Sequence, residues 1–178
     1  MQTWELVPHP AMPAAGVSGV SASVLAPVDR WLRLRWRVEG AAGLVVPPFA
    51  GQVRADGLWR TTCFELFVQP AGGTAYAEFN FSPSDQWAAY DFTDRRTGMA
   101  ERPVTPQPVC TMRRGGNLAI FDVALPLATV PLGSVGLTAV IEEAGGVKSY
   151  WALAHGGTAP DFHDPACFTA SLAAPQAT

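Results

Sequence analysis

Arg30-Trp-Leu-Arg-Leu-Arg-Trp-Arg-Val-Glu39 alternates without a break: Leu32, Leu34, Trp36 and Val38 fall on one side, and Arg33, Arg35, Arg37 and Glu39 on the other. An extended chain places successive side chains on opposite faces, so this decapeptide reads as a strand with one face in a core and one in water. Outward from it, similar alternation or short apolar runs predict strands near Val17–Leu25, Leu58–Gln69, Tyr76–Ser82, Trp87–Thr93, Val109–Arg113, Leu118–Leu125, Val135–Glu143, Ser149–Ala154 and Cys167–Leu172. Breakers fall between them at Val46-Pro47-Pro48, Pro70–Thr74, Pro83–Gln86, Pro103–Pro108, Gly115–Asn117, Gly145-Gly146 and His155–Pro165. Many short strands, Gly/Pro turns and no sustained helical period predict an all-β fold, an antiparallel two-sheet β-sandwich. With no repeat and no linker composition, residues 1–178 read as one domain.

The composition fits that expectation. Of 178 residues 48% are hydrophobic and only 15% charged, and six are Trp, so the chain can bury a core without staples. Gly and Pro, 17 and 16 residues, supply the turns. A net charge of −3 and the absence of a Lys/Arg run argue against nucleic acid. No apolar run approaches the roughly 18 residues needed to cross a bilayer, so no membrane partner is expected. Met1-Gln2-Thr3-Trp4-Glu5 is not the start of a signal peptide, and three cysteines without CxxC spacing fit a reducing compartment, which together predict a cytoplasmic location.

The densest polar signal lies around the turn Pro83–Gln86. A hairpin there would pair Ser82 with Trp87, Asn80 with Ala89 and Glu78 with Asp91, giving one face with Glu78, Asn80 and Asp91. The opposite face would hold Ala77, Phe79, Phe81, Ala88, Tyr90 and Phe92 as core. Glu65, between Phe64 and Leu66, points to the polar face if its strand lies alongside. Facing carboxylates need a compensating group. Either Arg33, Arg35 and Arg37 lie beside them as a salt-bridge ladder, or the face meets a ligand rich in hydroxyls, with Trp59, Trp87 or Trp151 as flat apolar platforms.

The loop His155–Pro165 gathers His155, Asp161, His163 and Asp164, but its spacing matches no familiar zinc pattern and no Cys completes one, so no metal is expected. Asp161 and Asp164 suit turn anchoring. Glu65 and Glu78 could serve as a glycosidase acid and base, yet a bare sheet face offers neither the cleft nor the two unlike environments that chemistry needs.

Asp56-Gly-Leu-Trp-Arg-Thr-Thr-Cys-Phe-Glu-Leu-Phe-Val68, Tyr76-Ala-Glu-Phe-Asn-Phe-Ser-Pro83, Trp87-Ala-Ala-Tyr90, Tyr150-Trp-Ala-Leu-Ala-His155 and Pro160-Asp-Phe-His163 together resemble the bacterial DOMON-like proteins, which are related to carbohydrate-binding module family 9. The resemblance spans roughly the whole chain. It implies a β-sandwich and a non-catalytic module binding a carbohydrate or small polar ligand through residues among Trp59, Glu65, Glu78, Asn80, Trp87, Asp91, Trp151, His155, Asp161 and His163. Other DOMON branches bind haem, which would set His155 or His163 against Met99 or Met112 as axial ligands.

Overall fold

The computed structural model describes residues 1–172. Its strands in chain order are β1 (Gln2–Pro8), β2 (Gly19–Val28), β3 (Trp31–Glu39), β4 (Cys63–Gln69), β5 (Tyr76–Phe81), β6 (Trp87–Phe92), β7 (Ala100–Glu101), β8 (Val109–Arg114), β9 (Leu118–Pro126), β10 (Gly133–Glu143), β11 (Val147–Ala152) and β12 (Ala170–Leu172). All their pairings are antiparallel, in the order β7-β6-β5-β4-β10-β11-β1-β2-β3-β9-β8, with β12 beside the start of β10. The result is a curled, sandwich-like all-β arrangement.

The expected two sheets are joined through an element that alternation did not reveal. Gln2–Leu6 of β1 pair with β2, while Val7 and Pro8 pair with β11, so β1 carries the sheet round from one layer to the other. Two expected strands start later than the sequence suggests: Leu58–Arg60 form a single 3-10 turn and β4 begins at Cys63, and Pro165–Cys167 form another and β12 begins at Ala170. Among the described residues no helix is long and apolar enough to cross a membrane.

Between the layers the inward residues of β3 meet those of β4, β5 and β9. The Trp36 ring centroid lies 5.5 Å from Phe64, which stacks on Phe121 at 4.5 Å. Each such ring, fully buried, contributes about 1.5–3 kcal/mol relative to exposure. Of the outward arginines of β3, Arg35 answers to β9 and Arg37 to the end of its own strand. Arg35 sits directly opposite Asp122 and holds it bidentately at 2.6 and 3.1 Å, Arg113 joins the same carboxylate, and Arg37 pairs with Glu39 at 3.0 Å. The ladder expected between these arginines and Glu65 or Glu78 is therefore absent, because β3 and β4 belong to different layers.

β4, β5 and β6 are buried on both faces. One face closes the main core, and the other carries a second apolar cluster including Phe67, Tyr76, Phe92 and Val140, roofed by Phe162, Cys167 and Phe168 from the segment after β11. Gly136 on β10 makes room for that roof, since a Cβ there would stand 2.7 Å from the Phe168 ring.

Candidate functional site

The hairpin between β5 and β6 sets the geometry. Ser82 and Gln86 close the loop through Ser82 N–H to the Gln86 carbonyl at 2.9 Å, and Asp85 takes a left-handed conformation with φ of 69°. A three-residue loop of this kind with a left-handed last residue shifts the register by one against the expected pairing. Glu78 thus faces Tyr90, Asn80 faces Ala88, and Ala77 faces Asp91. A one-residue slip exchanges faces along a whole strand. Ala88, Tyr90 and Phe92 therefore join Glu78 and Asn80, and Asp91 turns to the other side, where Arg102 binds it at 2.6 Å.

On the face turned away from the main core lies a cavity of about 960 Å³, near the upper end of the roughly 300–1,000 Å³ typical of ligand sites. Glu65 from β4 and Glu78 and Asn80 from β5 form its polar floor, Glu65 standing directly opposite Asn80. Tyr90, Phe92, Val140 and Tyr150 contribute apolar and phenolic surface from β6, β10 and β11. Trp59 and Arg60 rise from the 3-10 turn on one side. Gly57, with φ of 70°, starts that turn, Leu58 is buried as its anchor, and Trp59 is left 51% exposed over the cavity. Tyr90 donates a hydrogen bond to Asp56, tying the same segment to the sheet.

On the other side Asp161 receives Arg95 at 2.6 Å and Arg96 at 2.8 Å, joining the β6–β7 hairpin to the roof segment. Burial alone would raise the Asp161 carboxyl, but hydrogen bonds from the two arginines outweigh it and leave the group below its ordinary value. Asp164 caps the following 3-10 turn through Ala166 N–H at 2.9 Å. His163 is wedged edge-on against Phe67, Tyr76 and Phe92, with its Nδ1 2.7 Å from the Tyr76 hydroxyl and its Nε2 3.8 Å from Glu78. Burial, reinforced by nearby Arg96, lowers His163 to about 4, so the imidazole is neutral at pH 7.

The floor is short of hydrogen-bond donors. Thr138 lies 3.2 Å from Glu65 and donates to it, and Asn80 donates to Glu78 at 2.8 Å, but the Asn80 carbonyl oxygen is buried without a partner. Burial pushes Glu78 up to about 7 against the lowering pull of Asn80 and Arg96. Burial again, with the Glu78 charge beside it, holds Glu65 well above the carboxylate range.

Of the ten residues singled out from sequence, Trp59, Glu65, Glu78, Asn80, Asp161 and His163 line this cavity. Trp87 and Trp151 instead face the main core, their indole N–H groups donating to Gln107 at 3.0 Å and Ser149 at 2.9 Å. His155 bonds the Val7 carbonyl at 2.9 Å and packs against His9, outside the cavity lining. Tyr90, Tyr150, Asp56 and Arg96 were missed. Alternation in β11 places Tyr150 on the face opposite Trp151, so parity was the available signal.

Of the axial ligands considered for a haem, Met112 is on β8 in the far layer and His155 is off the cavity, while Met99 and His163 both line it, the His163 ring being held between Tyr76 and Glu78. Among the described residues no three His, Cys, Asp or Glu side chains are grouped to hold a metal ion.

No family model matches the chain, and no curated relative matches it. Its fold is similar to the crystal structure of a protein of proposed carbohydrate-binding function from Bacteroides uniformis ATCC 8492, with a TM-score of 0.67 and 17% identity over 96% of this chain and 86% of that one.

Proposed function

We propose that this chain is a non-catalytic binding domain whose cavity takes a carbohydrate or similarly hydroxyl-rich small ligand, and that it is a DOMON-like relative of carbohydrate-binding module family 9. The observation that carries the reading is the under-satisfied floor: a buried amide carbonyl without a donor costs about 1–3 kcal/mol, and a ligand hydroxyl can supply the donor. Asn80 and the two glutamates bind hydroxyls at the rim of a sugar ring, while Trp59, Tyr90 and Tyr150 offer rings to its C–H faces. The fold likeness to a protein of proposed carbohydrate-binding function supports the same assignment. Calorimetric titration with a panel of mono- and oligosaccharides tests it. Binding that is lost in Asn80→Ala and Trp59→Ala is the expected result, and no heat from any sugar would reject the reading.

A second reading has its own support in the upward shift of the Glu65 and Glu78 pKa values by burial in the cavity floor. A carboxylic acid that is still protonated near neutrality, beside a second carboxyl, is the equipment for acid–base work on a glycoside. Release of nitrophenol from nitrophenyl glycosides, abolished by Glu78→Gln, would establish it; no turnover by the unaltered chain would remove it.

A further inference from the structure

We propose that among hydroxyl-rich ligands the cavity selects those bearing a primary amine, an amino sugar or amino polyol whose ammonium group settles on the floor among Glu65, Glu78 and Asn80. This deepens the ligand-binding reading above and rests on it.

With both glutamates ionised, the floor offers acceptors in excess. Both glutamates and Asn80 line the cavity, and the Asn80 carbonyl oxygen is buried without a partner, whereas the Thr138 hydroxyl is committed to Glu65 and one Asn80 N–H to Glu78. Among the described residues no Lys or Arg pairs with Glu65 or Glu78, and Arg96 acts on the two carboxyls only through its nearby charge. Arg60 and Arg96 stand exposed at the rim, and Arg96 is held there by Asp161. A ligand hydroxyl brings one donor and two lone pairs, and those lone pairs repel the carboxylates. An ammonium brings three donors and no acceptor, with a charge that acts more strongly at a buried site than in water.

The groups packed around the glutamates make proton release the signature. Cys63 from β4, Tyr76 from β5 and Tyr90 from β6 are all shifted upward by burial and stay protonated and neutral, and His163 from the roof is neutral. Arg96 and Asp161 at the rim, and Asp56 beside Tyr90, complete the charged set. With the cavity empty, the glutamates therefore share the exchangeable protons near pH 7. An arriving ammonium favours both carboxylates and expels a proton to the buffer.

The test titrates the full chain with glucosamine, galactosamine and mannosamine, their parent hexoses and their N-acetyl forms, in buffers of different ionisation heat. At least one amine is expected to bind about tenfold or more tightly than its parent and N-acetyl form, with an observed heat that depends on the buffer. Glu78→Gln should abolish the preference, and Glu65→Gln replaces it as the probe if that variant melts early. A parent hexose binding as tightly as its amine overturns the inference and leaves the sugar reading standing. Butylamine binding as tightly as the amino sugars leaves the amine site and removes the sugar reading. No binding by any of them removes both.

Discussion

Glu78 Oε2 lies 3.8 Å from His163 Nε2, and burial drives the two groups in opposite directions, Glu78 up to about 7 and His163 down to about 4. At neutral pH their contact is therefore a partly protonated carboxyl against a neutral imidazole, not an ion pair.

Opposite shifts give opposite pH slopes. Glu78 rises from an ordinary 4.5, so its contribution to stability is full below that value and is lost as pH climbs through about 7. His163 falls from 6.5, so its contribution is present above that value and is lost as pH drops through about 4. Between about pH 4.5 and 6.5 the two slopes oppose each other. Replacing Glu78 by Gln should make urea stability rise more steeply with pH across that window, by up to about 1.4 kcal/mol per unit, relative to the unaltered chain. His163→Gln should tilt it the other way. Parallel pH profiles for all three proteins would contradict the assignment.

Asp161 ties together two surface segments, which the Tyr76 hydroxyl of β5 also bridges through Arg96 N–H at 3.1 Å and His163 Nδ1 at 2.7 Å. Arg95 and Arg96 are about half exposed, so their pairs with it are screened and add little to global stability. The effect of Asp161→Ala should instead be local. Amide exchange in 94–99 and 156–164 is expected to quicken on the order of tenfold while the denaturation midpoint barely moves, and raised salt should mimic part of the change. Uniformly faster exchange through β4 and β5 would show that the clamp holds the whole fold.

What could be read beforehand follows from burial. Strand β3, wet on one face, displays its alternation openly, and Glu65 beside Asn80 stands out because carboxylates are rare in such apolar runs. β6 is covered on both faces, so Trp87-Ala-Ala-Tyr-Asp-Phe92 shows no clean inside and outside, and its side was set by the left-handed Asp85 alone. Arg35 gave no sign of choosing Asp122, since that pairing depends on which strands become neighbours across 87 residues. Tyr150 was hidden by preference for Trp as a platform, although the parity of β11 held the answer.

Gly136 is buried on β10 under the Phe168 ring. In Gly136→Ala the new methyl would meet that ring at 2.7 Å, and relief requires the ring, and the roof it belongs to, to lift. Overpacking of this kind costs about 1–3 kcal/mol. The urea midpoint should fall accordingly, and Phe168→Leu in the same chain should recover part of the loss. A double variant no better than Gly136→Ala would place the strain elsewhere.

Glu143, buried at the end of β10, accepts from the backbone N–H groups of Ala15, Gly16 and Val17 at 2.7, 2.6 and 3.0 Å. It thereby fixes the segment between β1 and β2, whose neighbour Gly40 has φ of 73° and would place a Cβ 2.2 Å from the Gly16 carbonyl. Side chain and glycine act on the same turn from two sides. Glu143→Ala strands three donors, of which Val17 N–H is buried and cannot recover its bond from water. The expected loss is about 2–4 kcal/mol in urea unfolding. Glu143→Gln keeps the shape and, with its amide oxygen in the Oε1 position, still accepts from Gly16 and Val17 while turning an N–H₂ group towards Ala15 N–H, so it should lose less than Glu143→Ala. A loss well under 1 kcal/mol in Glu143→Ala would show that water replaces the carboxylate, and the segment between β1 and β2 would then owe its position to Val17 and Ala14 packing on the core.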